Sequence, residues 1–182
     1  MLVLPALLGA CGYNQIQTFD EQAASAQRNI EVQLQRRADL IPNLVETVKG
    51  FAAQESEVLT QVTQARAGLS GALAKTGGAD MTELAAANAG LTSALGRLNV
   101  VVEAYPELKS NENFLRLQDE LTGTENRVAV SRTDYNAAVE KYNAYIRRFP
   151  AVVTAKVTGA KPRVYFEADP AAQTAPTVDF SK

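Results

Sequence analysis

Residues 33–50 read QLQRRADLIPNLVETVKG. Leu34, Arg37, Ile41, Leu44 and Val48 step by three and four residues, the spacing that holds one stripe of an α-helix against a neighbour. Pro42 stands inside that pattern. It has no N–H to give to the carbonyl of Ala38, and its ring crowds the same carbonyl. Because the phase continues from Ile41 through Leu44 to Val48, the stretch is read as a helix kinked near Pro42 and not reversed there. Gly50 is the alternative break point. Paired arginines precede the proline and Glu46 and Lys49 follow it, so Arg36, Arg37, Asp39, Glu46 and Lys49 form the candidate interaction surface.

The same stripe extends downstream through Phe51, Glu55, Val58, Val62, Ala65 and Leu69. A second runs Leu84, Asn88, Leu91, Leu95, Leu98, Val102, Tyr105. A third runs Phe114, Leu117, Leu121, Thr124, Val128, Ser131, Tyr135, Ala138, Tyr142, Tyr145, Phe149. Gly71 and Thr76-Gly77-Gly78-Ala79-Asp80 separate the first two, and Asp80 or Thr82 can cap the second helix. Tyr105-Pro106 ends the second, Ser110-Asn111 offers caps for the third, and Phe149-Pro150 stops it. A first helix unbroken over residues 20–70 would reach about 75 Å, so the molecule is expected to be elongated. The fold class is all-α: an antiparallel bundle of three to four helices, four if the chain breaks at Gly50.

The 33–50 block does not stand alone. With Tyr13-Asn14, Tyr105-Pro106-Glu107-Leu108-Lys109, Glu125-Asn126-Arg127, Tyr135-Asn136-Ala137-Ala138-Val139 and Tyr165-Phe166-Glu167 it resembles the signature of the LemA family of bacterial membrane-associated helical proteins. The likeness covers residues 13–167 in order. It departs at Ser25-Ala26-Gln27-Arg28, where relatives often carry an Ala-Trp pair. The resemblance implies an antiparallel four-helix bundle and a membrane-associated protein facing away from the cytoplasm. It implies no particular reaction.

Composition narrows the function from the other side. The chain has no histidine and one cysteine, which removes the usual general base at neutral pH and zinc sites built on those ligands. Pairs such as Glu55 and Glu57, Glu103 and Glu107, or Asp119 and Glu120 have no spacing that selects hydrolytic or metal chemistry. A net charge of −2 with mixed signs gives no electrostatic case for nucleic acid. The protein is read as no enzyme, with no cofactor and no metal.

The N-terminus reads as an export signal. Residues 2–9 are apolar, and Leu8-Gly9-Ala10-Cys11 has the form of a lipobox, with small residues before the cut and a cysteine sulfur to take the lipid. No charge precedes Asp20, as a start assigned too far downstream would leave it. The run is shorter than the roughly 20 apolar residues a bilayer span needs. Cys11 is therefore the expected lipidation site, anchoring the protein on the extracytoplasmic side of a membrane. Gly12 follows in place of a retention-type aspartate, which favours the outer membrane where a host has one. The chain divides into a signal segment (1–11), a helical bundle (12–149) and an extended, partly disordered tail (150–182) that is Ala-, Pro- and Thr-rich after residue 169. The Val164-Tyr165-Phe166 patch is expected to fold back onto the bundle.

Polar residues on the stripes have a structural reading beside the functional one. Arg37 must be paired or reach solvent, since an unpaired buried charge is costly; Glu125 or Arg132, flanking the third stripe, mark where it would meet that helix, with Glu125 as the partner. Asn88, a lone amide on the second stripe, reads as a register device. Tyr135-Asn136 and Tyr142-Asn143 repeat at seven residues and form either an aromatic groove with polar handles or core tyrosines whose hydroxyls reach the surface. The leading function is a non-catalytic, lipid-anchored envelope protein acting through protein partners. The alternative is a binding module for a small apolar ligand or lipid, in a gap at Ala65, Ala87 and Ala138.

Overall fold

A computed structural model describes the backbone of residues 4–75 and 80–167, and their side chains from residue 12 onward. The lipobox side chains, the Thr76-Gly77-Gly78-Ala79 turn and the tail beyond residue 167 lie outside that description. The described residues are helical, with no strand among them: α1 (Leu4–Lys49), α2 (Ser56–Leu73), α3 (Met81–Val102), α4 (Pro106–Lys109), α5 (Glu112–Tyr145) and α6 (Ala151–Thr158). At 46 residues, α1 is about 69 Å long.

α1 passes Pro42 without reversing. The carbonyl that the proline leaves without a partner is taken by another helix: Arg66 on α2 donates its Nε–H to Ala38 O at 3.0 Å. A charged donor thus fills the gap in the α1 ladder and ties α2 to it.

The chain reverses at residues 50–55, and the continuous helix to residue 70 is not formed. Glycine has poor helix propensity, and the backbone tightens there through Phe51 N–H to Val48 O (3.0 Å) and Ala52 N–H to Val48 O (2.8 Å). The first stripe therefore splits. Leu34, Arg37, Ile41, Leu44 and Val48 are buried, Phe51 is exposed, and α2 restarts with Leu59, Val62, Leu69 and Ala72 inside.

Of the two caps open for α3 the chain uses Asp80, which accepts from Thr82 N–H, and of Ser110-Asn111 α5 uses Asn111, which accepts from Asn113 and Phe114 N–H. Along α5 the buried line moves from the predicted Ala138 and Tyr145 to Val139 and Ile146. A seven-residue repeat lags a 3.6-residue helix by about 20° per heptad, so a long straight helix drifts onto the next position. Phe149, predicted on the same stripe, lies beyond the end of α5 and is 84% exposed. Within the expected extended tail, residues 151–158 form α6, which ends on Gly159 with φ 73°, a left-handed conformation suited to glycine.

Contacts fix the topology. Ile16 clusters with Tyr142 and Ile146 while Arg37 reaches Glu125, so α5 runs antiparallel to α1. Arg97 donates to Gln61, which sets α3 antiparallel to α2. Two regions result. One end is a four-helix tip built from the C-terminal half of α1, α2, α3 and the start of α5. The other is a base in which only α1 and α5 continue, covered by α6 and the segment at residues 163–166.

Candidate functional site

Of the five residues of the central motif, Arg37 leaves the surface. Arg37 is inside, 2% exposed, while Arg36, Asp39, Glu46 and Lys49 are exposed. Asp39 accepts from Gln35 within its own helix (2.7 Å). Glu46 and Lys49 pair at 3.2 Å, and an exposed pair of this kind adds little stability.

Arg37 is the polar node of the tip. Its Nη1 donates to Asn88 Oδ1 at 2.6 Å and to Thr92 Oγ1 at 3.0 Å, both on α3. Nη2 lies 3.7 Å from Glu125 Oε2 on α5. The two polar residues that interrupt the first and second stripes are thus each other's partner. Burial holds the Arg37 pKa below the ordinary guanidinium value, and Glu125 pulls it part of the way back; an arginine stays charged regardless. Its Nε has no partner among the described residues. Arg132 takes no part in this ion pair.

Two grooves flank the node. Between α1 and α2, Glu46 and Lys49 rim a hollow of about 500 Å³ floored by Ile41, Pro42, Val45 and Leu59. Between α3 and α5, which approach each other little, a hollow of about 400 Å³ holds Arg37, Thr92, Asn99, Gln118 and Glu125. Ala65, Ala87 and Ala138 are half-buried and packed on the core. Of the three, Ala65 also edges a smaller groove with Gln61, Gln64 and Arg97.

The turn at residues 50–55 is pinned across the tip. Tyr105 donates its hydroxyl to Glu55 Oε1 at 2.8 Å and accepts from Gln54 Nε2 at 2.9 Å. The hydrogen bond to Glu55 raises its phenol above the ordinary value.

At the base, the repeated Tyr-Asn pairs grip the chain's own later segment. Asn143 accepts from Arg163 N–H and donates to Arg163 O, both at 2.9 Å. Asn136 accepts from Phe166 N–H at 2.9 Å and donates to Phe166 O at 3.1 Å. Seven residues of helix rise about 10.5 Å, and three residues of extended chain cover about 10 Å, so the two ladders coincide. Tyr135 donates to Val164 O at 2.7 Å, and Phe166 is buried in the main core. Arg163 donates to Asp20 Oδ1 at 2.7 Å, tying the segment to α1. The tyrosines are thus core residues, as the structural reading expected, and the polar handles serve an intramolecular peptide.

Among the described residues, no group of three or more Cys, Asp or Glu side chains is placed to hold a metal, and no helix is long and apolar enough to cross a membrane. The LemA family model matches residues 26–180, a span that takes in the proline motif, the node, the Tyr105 pin and the asparagine ladder. The chain belongs to the LemA family. Among curated relatives, Magnetosome protein MamQ 2 of Paramagnetospirillum magneticum is 34% identical over 182 residues, covering 89% of this chain and 67% of the relative. Magnetosome protein MamQ of Magnetospirillum gryphiswaldense is 32% identical over 183 residues with the same coverage. Protein LemA of Metamycoplasma hominis is 24% identical over 136 residues, 75% of this chain and 60% of that one.

Three structural contacts of this LemA-family chain escaped the reading of its sequence. Arg66 has a usable signal, since a proline inside a helix leaves the carbonyl four residues back in need of a donor. The Asp20–Arg163 pair, 143 residues apart, has none. Asn136 and Asn143 announced themselves by their spacing, but their partner did not.

Proposed function

We propose that this protein is a non-catalytic, membrane-associated helical protein of the cell envelope, anchored by lipid at Cys11 and acting through protein partners at its four-helix tip. The observation that carries the reading is the separation of its two ends along one helix. Cys11 to Pro42 spans about 46 Å of α1, so the apolar α1–α2 groove stands well away from an anchored N-terminus. Family membership and the magnetosome relatives support membrane association. The groove, with Val45 and Leu59 in its floor and the Glu46–Lys49 pair on its rim, has the apolar floor and polar edge of a protein contact.

A second reading is favoured by one detail. Arg37, Thr92, Asn99, Gln118 and Glu125 line the α3–α5 hollow, a set of polar groups suited to orienting a small ligand.

Expression with a complete leader and labelled palmitate tests the anchor: wild type should carry label and stay on membranes through a high-salt wash, and Cys11→Ser should carry no label and be released by that wash. An unlabelled wild type would overturn the lipid anchor. For the tip, a photo-crosslinker at Val45 should give discrete adducts in intact cells and one at Val130 none; the reverse pattern would move the partner surface away from this groove.

A further inference from the structure

The basic residues of this chain are not spread evenly. Residues 145–166 hold Arg147, Arg148, Lys156, Lys161 and Arg163 and no acidic residue, in a chain whose net charge is −2. Arg163 is engaged by Asp20, while Arg147, Arg148, Lys156 and Lys161 are exposed and carry no ion pair among the described residues. The neighbouring face of α1 adds little opposing charge, since residues 1–19 are uncharged and Glu21 is paired with Arg28.

The same segment exposes apolar side chains that a soluble surface would not be expected to gather. Helix α6 buries Ala151 and Ala155 and turns the opposite face outward: Val153 is 55% and Val157 82% exposed, with Phe149 four residues before Val153. Lys156 flanks that stripe, one helical step from Val157. Val164 and Tyr13 are exposed at the same end. These five make half of the ten large apolar side chains exposed among the described residues.

Its position gives the patch meaning. Helix α6 packs on the start of α1, where the Cβ position of Gly12 lies 3.4 Å from Thr154 Oγ1 and 3.8 Å from Ala151 Cα. Gly12 follows Cys11 directly. Helix α6 therefore sits beside the residue proposed to carry the lipid, with its apolar, basic face turned away from α1 to the surface.

The geometry points to α6 and its flanks as a second membrane contact: Phe149, Val153 and Val157 enter the interfacial layer of an anionic bilayer while Arg148, Lys156 and Lys161 meet its headgroups. This rests on the membrane-anchored reading, since the anchor decides which end faces the bilayer. Exposed apolar side chains collared by unpaired cations suit an anionic lipid surface on both counts, hydrophobic and electrostatic. A lipid chain holds the protein at the surface; a second contact beside it also fixes how the rod of α1 is tilted, and hence where the tip is presented.

The test uses the full chain made without lipid attachment, so that it does not depend on Cys11, and vesicles of phosphatidylcholine with or without phosphatidylglycerol. Wild type should sediment with the anionic vesicles and far less with the neutral ones. Arg148→Gln, Lys156→Gln and Lys161→Gln together should weaken anionic binding by about a hundredfold, from the contribution of each basic residue at an anionic surface. Val153→Asp with Val157→Asp should weaken it by at least about tenfold, and Val100→Asp with Val130→Asp should leave it unchanged. Circular dichroism and the thermal midpoint establish that each variant is folded; if the aspartate pair unfolds, the exposed Gln triple decides alone. Wild-type binding to neither vesicle, or equal binding by the Gln triple and wild type, overturns the inference and leaves palmitate labelling of Cys11 untouched. So does a wild-type dimer that the aspartate pair makes monomeric, because the face would then belong to a second copy.

Discussion

The tip and the base of this molecule hold α1 and α5 together by different means. In the tip, four helices surround a seam of buried leucine, isoleucine and valine, interrupted at Arg37, Asn88 and Thr124. In the base only α1 and α5 remain, and the small cluster of Ile16, Tyr142, Ile146 and Ala155 is closed by α6 and by hydrogen bonds from side chains to the backbone of residues 163–166. Two helices cannot bury a full apolar stripe between them. The base replaces missing helices with specific polar contacts, so its stability depends on direction and spacing where the tip depends on area and shape.

The largest expected effect lies in the tip. Leu44→Ala should destabilise the bundle by about 2–5 kcal/mol, the range for truncating a buried leucine, read as a lower denaturant midpoint. An unchanged midpoint would mean that the tip is not held by its apolar seam.

Asn143→Ala should cost about 1–3 kcal/mol, since it leaves the Arg163 N–H and carbonyl without their partner. The loss should be local. Amide exchange of Arg163 and Phe166 should accelerate while amides of α2 and α3 keep their protection; uniform acceleration would show that tip and base unfold as one unit.

Tyr135→Phe removes only the bond to Val164 O and should cost about 0.5–1.5 kcal/mol. It also sharpens the pH response. Burial raises the Tyr135 phenol above its ordinary value of 10.0, against a smaller downward pull from Arg163. The fold therefore favours the neutral phenol, and that stability is complete below about pH 10 and lost as the pH rises through the folded value. Alkaline denaturation monitored at the base should begin later, in relative terms, in the Phe variant; identical alkaline profiles would exclude Tyr135 as a contributor.

The smallest change is expected from Arg37→Met with Asn88→Leu. Replacing a buried polar pair as a set by apolar residues of similar size is often neutral or stabilising. Glu125 need not be altered, because its side chain is 54% exposed and keeps its water. Thr92, also an exposed residue, can turn its hydroxyl to water. A fall in stability comparable to that of Leu44→Ala would make the node a structural keystone of the tip. A stable double variant that loses the Val45 adducts would instead assign the node to partner recognition.

What the sequence determined by itself was the helical class, most of each buried stripe and the family, because these depend on patterns repeated over many residues; it narrowed the helix caps to Asp80 or Thr82 and to Ser110-Asn111. The stripe through Leu34, Ile41, Leu44 and Val48 could be read from hydrophobic spacing alone. Its extension to Phe51 and Glu55 could not, because heptad phase survives on paper across a break that a short turn makes in space. The candidate site was legible as a set of residue types at positions 36–49, yet only packing sent Arg37 inward to Asn88 and left Arg36, Asp39, Glu46 and Lys49 outside. The drift to Val139 and Ile146, the donor from Arg66 to Ala38 O, the grip of Asn136 and Asn143 on residues 163–166 and the turning outward of α6 were all decided in three dimensions. Each depends on which distant segment arrives at a given surface. Local periodicity specifies a helix and the face it must hide, but it carries no information about the neighbour that will cover that face.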